Sequence, residues 1–85
     1  MFYVYIIKSE HDGSTYIGYS NDLKRRFIEH NRGLSHSTKA QVPWVLVYYE
    51  AYRSKADARY REDNLKRYAK AYGQLRGRIK NSLQS

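Results

Sequence analysis

Five side chains of this sequence are of types that could cut a phosphodiester: Tyr5, Tyr16, Arg26, His30 and Glu62. A phenol can orient or deprotonate water. A guanidinium can fork onto a phosphate. An imidazole can move a proton near neutral pH. A lone carboxylate suits Mg²⁺, which takes one or two carboxylates and fills its remaining positions with water and substrate phosphate. None of the five is a residue that a plain core requires at its place.

Glu62 is the most diagnostic. With about 3.6 residues per helical turn, it falls in the middle of an arc made by Ala58, Leu65 and Ala69. A carboxylate on an apolar stripe is costly unless paired or metal-bound. The competing explanation is a structural ion pair, with Lys66 one turn on or Arg61 beside it. Arg26 and His30 stand four apart on one face of an earlier helix. Leu23 and Phe27 mark the core side of that helix, Arg26 and His30 its rim, Arg25 and Glu29 its outer side; Ile28 fits none of these. His30 could equally cap the helix C-terminus. Tyr5 and Tyr16 fall on neighbouring strands, and Gly18 shares the side of Tyr16. A glycine there leaves open space beside the ring. An ordinary aromatic cross-strand pair is the plainer explanation.

The elements that must position these groups follow from periodicity and turn chemistry. Residues 2–8 alternate, with Tyr3, Tyr5 and Ile7 on one side and Phe2, Val4 and Ile6 on the other. Both sides are apolar or aromatic, so this is a central strand covered on both faces. The cluster His11-Asp12-Gly13-Ser14 is a turn, and residues 15–19 complete a hairpin. Ser20-Asn21-Asp22 supplies N-cap chemistry for a helix over residues 22–31, ended at Gly33. Residues 33–42 form a polar loop, and residues 44–50 a third strand. Ser54 and Asp57 resemble a capping box for a second helix lasting to about residue 72, broken by Gly73. Leu75, Ile79 and Leu83 make a last apolar stripe. The expected fold is α/β in the α+β sense. A three-stranded, mostly antiparallel sheet is flanked by helices in the order β-β-α-β-α-α.

Composition sets the partner class. Sixteen Lys and Arg against eight acids give +8 and a pI near 9.8 in 85 residues. Such a domain is usually a polyanion binder, and nucleic acid is the commonest polyanion. Ten tyrosines add rings that can stack on bases. The length predicts one domain over residues 1–85. No cysteine is present, which excludes disulfides and thiolate metal sites. The N-terminus lacks a signal-peptide pattern, and no apolar run nears the roughly 20 residues of a membrane span. A cytoplasmic setting and no membrane partner are expected, with a monomer assumed.

Taken together, these motifs resemble the GIY-YIG nuclease superfamily, in its small stand-alone bacterial branch. That branch is related to the N-terminal nuclease domain of the excision-repair protein UvrC. Tyr3-Val4-Tyr5 stands where the family has Gly-Ile-Tyr, and Tyr16-Ile17-Gly18 matches literally. The run from Asp22 through Arg26 to Gly33 resembles the next motif. Thr38, Pro43 and Leu46-Val47-Tyr48-Tyr49-Glu50 resemble the following loop and strand, and Ala58-Arg59-Tyr60-Arg61-Glu62 the helix that carries the metal-binding glutamate. Tyr3 replaces the first glycine of the signature, Tyr19 stands where UvrC-like domains have lysine, and neither Asn64 nor Asn81 matches a late asparagine of some members. The resemblance implies a DNA endonuclease of repair type that leaves a 5′-phosphate and a 3′-hydroxyl. It implies that Glu62 holds Mg²⁺ (or Mn²⁺) and that Arg26 braces the scissile phosphate. Tyr16, with Tyr5 nearby, would orient or deprotonate water, and His30 would assist binding or proton transfer. The alternative is a nucleic-acid binding module that keeps the fold and cuts little or not at all.

Overall fold

A computed structural model describes residues 1–84. Three strands, β1 (Phe2–Ser9), β2 (Thr15–Ser20) and β3 (Trp44–Tyr52), form one antiparallel sheet in the order β2-β1-β3. The strand that is apolar on both faces is thus the central one. Val4, Ile6 and their neighbours face helices α2 (Lys55–Arg67) and α3 (Ala69–Arg78). Tyr5 and Ile7 face the other way, with Trp44, toward α1 (Leu23–Asn31). The sheet is therefore the middle layer between α1 and the later helices. A short α4 (Lys80–Gln84) follows.

Local chemistry sets most boundaries as expected. The Asp22 carboxylate caps α1 by accepting from the Arg25 N–H at 3.1 Å. The helix ends when Gly33 takes φ of 72°, donating to the His30 carbonyl while Leu34 donates to that of Glu29. Ser54 caps α2 by accepting from the Asp57 N–H at 3.4 Å.

Two expectations need correction. The second helix stops at Arg67, not near residue 72, because Tyr68 leaves helical geometry with φ −113° and ψ 109°. Gly73 lies inside α3 and ends nothing: it lacks the positive φ that makes glycine a helix stop. The break redirects the chain so that Leu75 reaches the core beside Val4 and Ile6. It also removes Ala69 from the apolar stripe of α2; Ala69 is exposed. The last stripe persists, with Leu75 and Leu83 buried, but is divided between α3 and α4.

Candidate active site

The site is built from the inside outward. His30 is fully buried, at the centre of the α1 face and not at its rim as the helical wheel suggests. Its Nε2 bonds the Tyr5 hydroxyl at 2.7 Å and its Nδ1 bonds Thr38 Oγ1 at 2.7 Å. Burial, reinforced by the charge of Arg26, pushes its pKa down to about 4. The ring is neutral at pH 7, with both nitrogens committed. Thr38 is itself fully buried and is fixed in turn by its carbonyl, which accepts from the indole N–H of Trp44 at 3.0 Å.

Tyr5 lies flat over Gly18, its direct partner across β1 and β2. The space that a glycine opens beside Tyr16 is thus filled by the Tyr5 ring. Any Cβ at position 18 would collide with the ring carbons and hydroxyl of Tyr5. Burial pushes the Tyr5 pKa up to about 12, against the opposing pull of Arg26. Burial thus favours the protonated phenol, whose hydroxyl bonds His30.

The outer members are more open. Tyr16 is half-buried, with its ring edge-on to both His30 and Trp44. Arg26 is partly exposed, held by Glu29 at 3.1 Å and by Ser35 Oγ at 3.2 Å. Glu29 therefore turns toward Arg26 instead of outward. Arg25 does face solvent, and so does Ile28. The loop after α1 is polar, as expected, but Ser35 and Thr38 are buried and form one wall of the site.

Glu62 reaches this group from α2. It lies between buried Ala58 and Leu65 along the helix, with its side chain 16% exposed. Two turns of α2 place Arg59 over the ring of Tyr19 and Lys66 over that of Tyr16. Those rings occupy opposite faces of β2, so α2 flanks its free edge. Glu62 sits between the two cations, 3.0 Å from Lys66 and 3.6 Å from Arg59. Arg61 instead binds Glu50. The Glu62 charge is felt at Tyr5, so the α2 carboxylate and the α1-side phenols share one field.

The structure thus gathers all five sequence-derived residues at the β2 edge, in two layers. Tyr16, Arg26 and Glu62 are accessible; Tyr5 and His30 stand behind them. Sequence reasoning missed Thr38 and Ser35 as partners of His30 and Arg26. The only signal was two hydroxyls in a polar loop that had to fold back past α1.

A divalent ion fits the donor set in one respect: a single half-buried carboxylate whose partners, Lys66 and Arg59, are flexible, exposed cations able to yield. No group of three or more His, Asp or Glu side chains able to cage a metal occurs among the described residues.

Comparison with known proteins adds family membership. Residues 1–76 match the model of the GIY-YIG catalytic domain. A UPF0213 protein of Staphylococcus saprophyticus is 41% identical over 69 residues, covering 80% of this chain and 83% of that protein. One from Staphylococcus epidermidis is 44% identical over the same shares. The solution NMR structure of a UPF0213 protein from Bacillus halodurans aligns with a TM-score of 0.55 at 36% identity, covering 88% of this chain and 82% of the other.

Proposed function

The chain belongs to the GIY-YIG nuclease family, and from that premise we propose that it is a divalent-metal-dependent endonuclease that hydrolyses DNA phosphodiester bonds. The observation that carries the reading is the convergence of Tyr16, Arg26 and Glu62 on one strand edge, from three separate elements. A structural ion pair on α2 has no need to face a signature tyrosine.

In this reading the Tyr16 hydroxyl, which has no hydrogen-bond partner among the described residues, accepts a hydrogen bond from the attacking water and orients it, and the proton that the water loses passes to solvent. Arg26 braces the non-bridging oxygens of the scissile phosphate, where charge grows in the transition state. Glu62, released by Lys66, would hold Mg²⁺ or Mn²⁺, and that ion would supply charge neutralisation at the phosphate and at the departing 3′-oxygen. Water oxygen joins phosphorus, the bond to the 3′-oxygen breaks, and that oxygen takes up a proton. The products are a 5′-phosphate and a 3′-hydroxyl. Tyr5 and His30 are positioning residues: they fix the strand edge from which Tyr16 acts.

The test is nicking of supercoiled and branched DNA in Mg²⁺ or Mn²⁺, beside a Glu62→Ala control. Metal-dependent nicking absent from the control is the expected result. A second reading, a binding module that does not cut, is favoured by one observation: both Glu62 oxygens already have cationic partners. DNA binding without nicking, unchanged in Glu62→Ala, would establish it instead.

A further inference from the structure

Charge is divided unevenly along the chain. Residues 1–63 carry ten Lys and Arg against eight acids, a net of +2; residues 64–85 carry six Lys and Arg and no acid, a net of +6. Lys66 and Arg67 are tied to Glu62 and Asp63. Lys70, Arg76, Arg78 and Lys80 have no carboxylate partner among the described residues.

Part of this charge lines a built cleft of about 420 Å³ between the hairpin end and α3–α4. Lys8, Arg76 and Lys80 converge there with Thr15, and no acid is among its walls. Gly13 and Gly77 keep the mouth open, since neither position carries a side chain. Two of the three cations contact the protein. Lys8 spends one ammonium donor on the Leu83 carbonyl at 2.6 Å, which anchors α4 and leaves two donors for a ligand. The Arg76 guanidinium lies over the ring of Tyr72, whose hydroxyl bonds Thr15 at 2.7 Å. This cation–π contact leaves the guanidinium N–H donors available to a ligand.

We propose that this cleft binds backbone phosphates of the nucleic acid, as an anchor separate from the Tyr16–Arg26–Glu62 surface; the inference rests on the nucleic-acid reading above. Lys8, Gly13, Thr15 and Arg76 lie within the residues that match the family model, whereas Gly77, Lys80 and α4 lie beyond them, so the cleft joins the two parts of the chain. Lys8 and Thr15 pair directly across the hairpin, one step from the Ile7–Tyr16 pair and on the opposite face. The longest dimension of the molecule is 29 Å, less than one duplex turn of about 34 Å. Anchor and site are therefore separated by less than the length of one duplex turn.

The experiment is fluorescence anisotropy with a labelled duplex of about one turn, in EDTA so that nothing is cut, over a range of salt. The variant Arg76→Ala/Lys80→Ala is compared with Lys39→Ala/Arg53→Ala, which removes the same charge from exposed positions outside the cleft. The cleft variant should bind about tenfold more weakly near 0.1 M salt, and its log–log salt slope should fall by roughly 1.8, the loss of two phosphate contacts. The charge-matched variant should stay within about twofold of wild type. Equal losses in both, or none in either, would overturn the cleft as a site. Wild-type protein that binds no duplex would overturn it together with the nucleic-acid reading. Cleft-dependent binding without nicking in Mg²⁺ would leave the anchor standing and sink only the nuclease reading.

Discussion

Glu50 and Glu62 are equally shielded, each side chain 16% exposed, yet they are held in opposite ways. Glu50, on β3, is gripped by Arg61 through Nε and Nη2, and it also accepts from the hydroxyls of Tyr48 and Tyr52. Burial works against its charge, but Arg61 and the two phenols outweigh it and hold its pKa below the usual carboxylate range. Both phenols are in turn pushed up to about 12, mainly by burial and then by Glu50. Every lone pair of that carboxylate is spoken for by a planar or ring-borne donor. Glu62 has only two flexible cations, one at 3.6 Å. Burial alone therefore does not distinguish the two carboxylates; the number and rigidity of their partners do.

The sharpest way to break this comparison is to neutralise each carboxylate in turn. Glu62→Gln should cut nicking by on the order of 10²-fold or more while shifting stability by no more than about 0.5 kcal/mol. Glu50→Gln should do the reverse: a cost of about 2 kcal/mol, because Arg61 is stranded in a half-buried place, with nicking by the folded fraction retained. Nicking rates and thermal midpoints for both variants decide it; matching profiles would erase the distinction.

Arginines offer the next contrast. Arg26→Ala should lower cleavage by about 10²-fold, and Arg26→Lys should restore only part of it, since lysine lacks the planar fork. Arg25→Ala, at an exposed position paired only with Asp22 at 3.8 Å, should stay within about twofold. Equal losses at the two positions would remove Arg26 from the site.

The tyrosines sharpen the distinction between accessible and buried layers. Tyr16→Phe keeps the ring and deletes a hydroxyl that the fold does not use, so most activity should go, roughly 10²-fold, with little change in midpoint. Tyr5→Phe leaves a buried His30 nitrogen without its partner and should cost about 1–3 kcal/mol, with a smaller or comparable activity loss. A silent Tyr16→Phe would reduce that residue to packing.

The smallest effect is a pH dependence belonging to His30. Its folded pKa, about 4, lies below its ordinary value of 6.5. The stability linked to neutral His30 is therefore complete above pH 6.5 and is lost as pH falls from there toward 4, where the unfolded chain binds a proton that the folded one refuses. Thermal midpoints from pH 7 to 4 should decline less steeply in His30→Gln. Parallel curves would mean that His30 is not held neutral.

Much of this was legible in the sequence because it is local. The hairpin, the Asp22 cap, the glycine stop after α1 and the doubly apolar central strand are each written within a few residues. The five polar residues at the β2 edge could be named because their types were out of place. The unread parts were non-local. His30 looked like a rim residue because the partners that satisfy it lie 8 and 25 positions away, at Thr38 and Tyr5. Tyr68 broke a helix with neither proline nor glycine at hand, because Leu75 had to reach the sheet.

The contact between Tyr5 and Gly18 carries a consequence for how this sequence can vary. The atoms that a Cβ at position 18 would meet are ring atoms as well as the hydroxyl, so removing the hydroxyl leaves no more room. Alanine at 18 becomes admissible only after residue 5 has lost its aromatic ring, and with it the bond to His30. A side chain at position 18 is thus excluded for as long as position 5 carries its ring. Two halves of a signature thirteen residues apart are tied by one steric contact.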